Sequence, residues 1–312
     1  MQYPKRILAA AIVLALVTAS CSITEKLSST SFKTGPTQEI AIQVPLPQAA
    51  ALSAGAGDVS LTLDFVAGVL KLAPADSKAL TAGSSGNLAS GDSALLASGL
   101  ATFNVAEFAP IVASQGSAYT VKTGDMKIKG IPKFADDLIN IWDLQLASTP
   151  MSLKILAGGY SGCFELGGLA LQNLEIEEGG SQLTSAFSAP NQVEMESLLV
   201  SSGGSNMTLT GLANANFARM TLSAGAGTYT LSFDGELQRA ASVAIDIGAS
   251  TVNLTVPDGV SASLTFNGGL SSVNAGAGWE LVNNVYTHPG RGPALTISVE
   301  MGVGTLNLNP EG

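Results

Sequence analysis

The stretch LSAGAGTYTLSFDG, from Leu222 to Gly235, decides how this chain folds, because its first six residues also occur at Leu52 to Gly57. After each copy, apolar residues fall at every second position, as at Tyr229, Leu231 and Phe233. This alternation predicts a strand with one buried and one solvated face. A dinucleotide-binding loop would need a third glycine and a following helix. We therefore interpret both glycine-rich turns as corners of β structure.

The glycine corner recurs at regular intervals along the chain. Spacings of 21, 23, 22 and 23 residues separate, in order, Gly159, Gly180, Gly203, Gly225 and Gly248. Repeats of this length indicate stacked β coils, in which each coil buries its apolar face only against its neighbours. Charged residues make up 12% of the chain, about half the usual share. We predict an all-β, solenoid-like stack with rungs of about 21–24 residues.

The N-terminus has the pattern of a secretory leader. Lys5 and Arg6 precede the apolar stretch 7–17, which predicts a signal peptide over residues 1–20. The run Thr18–Cys21 resembles a lipobox and so predicts a lipid on Cys21, with ordinary secretion as the alternative. The expected location is the extracytoplasmic side of the cell envelope, either at the outer membrane or on the outer leaflet of the cytoplasmic membrane.

Composition divides the rest of the chain. Residues 21–49, rich in Ser, Thr and Pro, would form a tether that ends in a first strand at IAIQV. We predict an N-terminal β portion over 50–155, with a low-complexity insertion at 80–101, and a stacked β-coil portion over 156–312. The net charge of −10 leaves no basic footprint for nucleic acid. Cys163, left without a partner, is expected to be a small buried hydrophobe.

The run from 168 to 237 (GLALQNLEIEE through FDGEL), followed by IDIGASTVNLTVPDGV, resembles the bacterial toast-rack family. That family is named for its parallel slices of β-sheet and is related to adhesin repeats and to Lia-type regulators of envelope stress. The resemblance spans roughly residues 50–310 and implies a stacked β fold with a role in adhesion or sensing. The motifs that carry it are structural, such as the glycines, Asn214 and Asn216, so function must be argued from a site.

Residues able to carry chemistry are scattered. His288 is the only histidine, in the turn THPGRG, where we expect it to be solvated, and zinc would need further His or Cys ligands. Acidic residues could pair as in glycosidases or bind calcium near corners. The alternation instead makes the strand acids outward residues, and the corner acids lack the spacing of a calcium loop. These candidates are Glu175, Glu177, Glu178, Glu194 and Glu196, and near corners Asp246, Asp258 and Glu300. We predict no catalytic residue, metal site or cofactor.

Binding is the remaining class of function. Trp142 and Trp279 are candidates for an exposed ligand platform, with core packing as the alternative. A broad Thr/Ser/Asn face suits adhesion to a glycan or to another β surface, and it suits solvation equally. We predict a lipid-anchored, non-enzymatic envelope protein that binds surfaces or senses, with glycan or another envelope protein as its partner. The alternatives are a polysaccharide-active enzyme using paired carboxylates, or a docking scaffold if the terminal coil at Gly304–Asn309 leaves an open β edge.

Overall fold

The computed structural model describes residues 32–47, 59–75, 94–124 and 137–309. The predicted signal peptide, Cys21, residues 21–31 and 48–49 of the predicted tether, the first LSAGAG copy and residues 80–93 of the predicted insertion lie outside these ranges. Across the described ranges, no helix is long and apolar enough to cross a membrane.

The described residues form one mixed sheet of fifteen strands and two short 3-10 turns, at Ala106–Phe108 and Leu212–Ala215. The strands are, in chain order, β1 (Gln38–Pro45), β2 (Ser60–Pro74), β3 (Leu95–Phe103), β4 (Pro110–Gln115), β5 (Ala118–Thr123), β6 (Asn140–Leu146), β7 (Met151–Glu165), β8 (Leu171–Ala186), β9 (Met195–Thr210), β10 (Phe217–Ser232), β11 (Ala241–Thr255), β12 (Gly259–Ala275), β13 (Glu280–Val282), β14 (Val285–His288) and β15 (Gly290–Leu308). Their order in space is β1-β3-β6-β2-β7-β8-β9-β10-β11-β15-β12-β14-β13, with β5 beside β2 and β4 beside β5. The predicted all-β stack is confirmed.

The parallel register places residues of the same chemical type next to one another in successive rungs. Strands β7 to β11 are neighbours both in sequence and in space. One column of register partners is apolar throughout and consists of Leu174, Leu198, Met220, Val243, Ile297 and Leu264. Every member of this column is nearly inaccessible to solvent. The apolar face that each rung cannot bury alone therefore becomes a continuous core when rungs stack.

Each long strand changes its buried side at a central corner. In β10, Met220 and Leu222 are buried before the corner, whereas Tyr229 and Leu231 are buried after it. The buried positions thus pass from even to odd numbers, because one residue at the corner shifts the alternation. We call the part of each long strand before its corner the first arm and the part after it the second arm.

Close packing of backbones explains the glycines at these corners. A Cβ on Gly179, Gly203, Gly225 or Gly248 would lie within 3.0 Å of the carbonyl oxygen of the corner glycine in the preceding rung. The same holds for Gly302 against Gly248. The corner therefore requires glycine because a neighbouring backbone occupies the space of a side chain.

The structure bears on three details of the predicted organisation. The predicted first strand IAIQV lies in β1 and is confirmed. Of the predicted insertion at 80–101, residues from Leu95 onward form β3, which pairs antiparallel with both β1 and β6. The boundary predicted between residues 155 and 156 falls inside β7.

Candidate functional site

The second arms of β8–β12 and β15 carry a polar surface without charge. We call it the second-arm face and define it by twelve outward side chains of β8–β12 and β15, all exposed or half-buried. They are Gln182, Thr184, Asn206, Thr208, Thr228, Thr230, Thr251, Asn253, Thr305, Asn307, Ser272 and Asn274. Because the strands are in parallel register, these residues form two rows across the rungs, with neighbours about 4.8 Å apart.

Part of this face is concave. A depression of about 420 Å³ lies over the second arms of β8, β9 and β10. Hydroxyl and amide groups line it, and these can both donate and accept hydrogen bonds. Its lining residues are Gln182, Leu183, Thr184, Asn206, Met207, Thr208, Thr228 and Thr230.

An asparagine ladder orders the other half of the face. Asn307 Nδ2 donates to Asn253 Oδ1 at 2.8 Å, and Asn274 Nδ2 donates to Asn307 Oδ1 at 2.8 Å. Asn253 Nδ2 in turn lies 3.4 Å from Thr230 Oγ1. The ladder fixes these amides in one direction, so the donors and acceptors of the face are ordered before any ligand arrives.

The first arms present a different outward surface, which we call the first-arm face. Lys154 Nζ lies 3.2 Å from Glu175 Oε1 and 2.8 Å from Glu177 Oε1. The hydrogen bond that Lys154 Nζ donates to Glu177 raises the pKa of Lys154 and lowers the pKa of Glu177. Arg219 similarly pairs with Glu196 at 2.8 Å. These acids, together with Glu194 paired to Arg239 at 3.0 Å, are held by cations on open strand surface.

Two of the corner acids that were considered for calcium, Asp246 and Glu300, are neighbours in the sheet. They are register partners in the parallel pair of β11 and β15. In the part of the chain that the structure describes, no group of three or more His, Cys, Asp or Glu side chains could hold a metal ion.

Glu178 is the exception among the predicted outward acids, because it is only 8% exposed. It shares its parity with Leu174 and Ile176, so the alternation itself directs it inward, and the prediction that it faces solvent is wrong. Its Oε1 accepts hydrogen bonds from the hydroxyls of Ser181, at 2.7 Å, and Ser205. Here the inside of the corner is polar rather than apolar.

Further hydroxyls extend this corner cluster of Tyr160, Glu178, Ser181, Ser202 and Ser205. Ser202 Oγ lies 2.6 Å from Ser205 Oγ, whose proton goes to Glu178. Burial, and then the charge of Glu178, raises the pKa of the Tyr160 hydroxyl. Among described residues, neither that hydroxyl nor Glu178 Oε2 has a hydrogen-bond partner. The cluster therefore holds a carboxylate against hydroxyl dipoles, without a neighbouring cation in the described part.

Both tryptophans proposed as ligand platforms lie in the interior. Trp142 is fully buried, with its ring edge-on to Phe65 at 5.0 Å between centroids. Trp279 is 7% exposed and packs against His288 at 5.3 Å. The alternative of core packing therefore describes both rings, since a buried ring presents no face to a ligand.

Two other residues lie where the sequence did not predict. His288 is buried, because β14 pairs with β12, and its Nδ1 lies 2.9 Å from the carbonyl oxygen of Val260. Cys163 is exposed, because the alternation turns Gly162 and Phe164 inward on either side of it. The predictions of a solvated histidine and a buried thiol are both wrong.

No protein-family model matches this chain, and no curated protein matches it. A "putative cell adhesion protein" from Clostridium sporogenes has a similar solved structure, with 15% identity, a TM-score of 0.45, and coverage of 88% of this chain and 99% of that one. A "putative adhesin" from Bacteroides fragilis has 10% identity and a TM-score of 0.31, over 90% and 100% of the two chains. A "putative lipid binding protein" from Parabacteroides distasonis has 11% identity and a TM-score of 0.35, over 90% and 99%. At these values the similarity assigns no function to this chain.

Proposed function

We propose that this chain is a non-enzymatic, surface-binding protein, and that its second-arm face holds an uncharged, hydroxyl-rich ligand such as a neutral glycan. The observation that carries the proposal is the two rows of twelve uncharged polar side chains in all, with the depression over β8–β10 in the same face. Sugar hydroxyls both donate and accept hydrogen bonds, as do threonine hydroxyls and asparagine amides.

Charge favours a neutral ligand over an ionic one. The chain carries a net charge of −10, which would repel an anionic polymer approaching any face. A cationic ligand would be drawn to the acids of the first-arm face, where Asp246 lies beside Glu300. The second-arm face carries no charge and so favours neither anions nor cations. Its hydrogen-bonding groups would therefore determine which ligand it binds.

The positions of the acids support a role in binding rather than in hydrolysis. A glycoside hydrolase places two carboxylates on either side of the scissile bond in a substrate groove. The depression is lined by no carboxylate. Glu175 and Glu177 share Lys154 on the opposite arm.

The test is a binding screen with the full chain, purified in detergent, against neutral glycans, peptidoglycan and anionic polysaccharides. Thr230→Lys would place a long charged side chain in the depression. Thr221→Lys would place the same side chain on the first arm of the same strand, and it serves as the matched control. We expect Thr230→Lys to weaken binding about tenfold or more, which corresponds to at least about 1.4 kcal/mol, and Thr221→Lys to leave it unchanged.

Three results would contradict this proposal: no neutral glycan binds, both variants bind equally, or anionic polymers bind best. Every ligand that binds is also assayed for hydrolysis. Turnover lost on changing a single Glu would establish the enzyme alternative instead.

We further propose that Cys21 carries a lipid that anchors the protein on the extracytoplasmic side of the cell envelope. The support is the order of basic, apolar and small residues before Cys21. Bacterial cells expressing the chain are fed an alkyne fatty acid, and we expect the label on the wild type and its absence from Cys21→Ser. An unlabelled wild type would favour ordinary secretion.

A further inference from the structure

The two ends of the stack are finished differently. The predicted terminal coil Gly304–Asn309 belongs mostly to β15, which pairs on both sides, with β11 and with β12. The outermost long strand is therefore β12, and not the last strand in sequence. The hairpin of β13 and β14 pairs with β12 only over Ala262–Thr265. From Phe266 to Ala275, β12 pairs on one side only within the described residues.

The apolar side of this outer rung is only half covered. Where the hairpin lies, Ala262 and Leu264 are buried. Beyond it, Phe266 and Val273 are only half-buried, although their register partners in β15, Val299 and Leu306, are fully buried. Leu270, at the corner, is 81% exposed. A stacked β protein needs the apolar side of its terminal rung to be covered, and at Phe266 and Val273 it is covered only in part.

The open part of β12, which we call the edge segment, has the sequence FNGGLSSVNA from Phe266 to Ala275. Natural sheet edges are guarded against pairing by charges, proline or bulges. The edge segment contains no charged residue and no proline, whereas β1, at the other end of the sheet, contains both Glu39 and Pro45. In a chain of net charge −10, an uncharged strip is where a second copy meets the least repulsion.

The edge segment is also complementary to itself. When two copies run antiparallel about the point between Leu270 and Ser271, Phe266 lies opposite Ala275 of the second copy and Val273 lies opposite Gly268. Phe266 then faces the small Ala275, and Val273 faces Gly268, beside which the Phe266 ring of that strand lies. Asn267 lies opposite Asn274, which is the last member of the asparagine ladder. Within the described residues, Asn274 Oδ1 accepts no hydrogen bond. Cross-strand pairs of this kind stabilise an antiparallel sheet.

We propose that the chain forms a two-fold symmetric dimer in which the edge segments of two copies pair antiparallel and continue the sheet. Such an interface is isologous, because the same segment serves both copies. Backbone hydrogen bonds along the edge supply affinity, and the exposed Leu270 and half-buried Phe266 and Val273 supply apolar contact. This dimer depends on the edge segment and not on the ligand of the second-arm face.

A charge swap tests the proposal, with the full chain in detergent and its mass measured by sedimentation velocity. Asn267→Glu combined with Asn274→Glu places Glu opposite Glu at both pairs. Asn267→Lys combined with Asn274→Glu changes the same positions but places Lys opposite Glu. We expect the wild type and the Lys/Glu variant to be dimers and the Glu/Glu variant to be a monomer. Circular dichroism checks that each variant is folded.

Each other result overturns the proposal. A monomeric wild type would show that the edge does not pair with itself, including the case in which only a strand from a different protein binds it. A Glu/Glu variant that stays dimeric would place the interface elsewhere. A monomeric Lys/Glu variant would contradict the antiparallel register.

Discussion

The first-arm and second-arm faces belong to the same strands, yet they are chemically unlike. On β8 and β10 the first-arm face carries Glu175, Glu177 and Arg219, each in an ion pair, and the partner of both glutamates is Lys154 of the neighbouring β7. A few residues later on the same strands, the second-arm face carries hydroxyls and amides and no charge. Either surface would solvate a β stack, so folding alone does not require the difference. The uniformity of the second-arm face is the property on which the proposed binding role depends.

The corner separates the two arms of each long strand, and a side chain added there should cause the largest loss of stability. A Cβ on Gly203 would lie within 3.0 Å of the carbonyl oxygen of Gly179, so Gly203→Ala forces two backbones apart. We expect the free energy of unfolding to fall by about 2–4 kcal/mol, as measured by urea denaturation. The matched control is the next residue, Gly204→Ala, since its nearest neighbour would be Ala226 O at 3.4 Å.

We expect Gly204→Ala to change stability by less than about 1 kcal/mol, because ordinary van der Waals contact is tolerated. Its register partners in β10 and β11 are already alanines, Ala226 and Ala249. Equal losses in the two variants would mean that close approach is not why Gly203 is glycine.

Glu178 is buried inside the corner, whereas the ion-paired acids of the first-arm face lie on the outside. Glu178→Gln keeps an oxygen to accept from Ser181 and Ser205 and removes a buried charge that has no cation beside it in the described residues. Its new amide can donate toward the unpartnered hydroxyl of Tyr160. Because a buried uncompensated charge is costly, we expect the free energy of unfolding to rise by about 1–2 kcal/mol.

Thermal and urea unfolding at neutral pH measure this change, with the exposed Glu177→Gln as the control of equal charge. A loss of stability in Glu178→Gln would contradict the expectation. It would mean that the negative charge is itself needed, for example to hold a cation at the corner.

The sequence predicts what depends on local pattern. Alternation and glycine spacing predicted the rungs, and the residues between the apolar positions predicted a broad Thr/Ser/Asn face. The same alternation places Glu178 and Cys163 correctly when parity is counted through the whole arm. The outward prediction for Glu178 was made without counting its parity from Leu174 and Ile176, and the inward prediction for Cys163 rested on its residue type.

What the sequence could not predict depends on pairing between distant segments. The position of β15 between β11 and β12 leaves β12 as the edge. The hairpin that folds onto β12 buries Trp279 and His288, although each lies in a stretch rich in turn residues. The extent of the second-arm face likewise required the register, because no single rung contains more than a small part of it.

The ion pairs of the first-arm face should contribute only a little to the stability of the fold. Lys154→Met removes the cation between Glu175 and Glu177 on a surface where the lysine side chain is 35% exposed. Exposed ion pairs contribute little, so we expect a loss of only about 0.5–1 kcal/mol at low salt.

The sign of the salt dependence is more informative. Added salt screens the Lys–Glu attraction in the wild type and lowers its stability slightly, whereas in Lys154→Met it screens the repulsion between the two glutamates and raises it. Urea denaturation at low and high salt measures both slopes, with Lys71→Met, whose Nζ lies 3.9 Å from Asp143 Oδ2, as the control for losing one exposed cation. Slopes of the same sign would contradict this account of screening, and a loss above about 2 kcal/mol would show that the charges of the first-arm face hold the stack together. The contrast between the faces would then reflect stability on one arm rather than binding on the other.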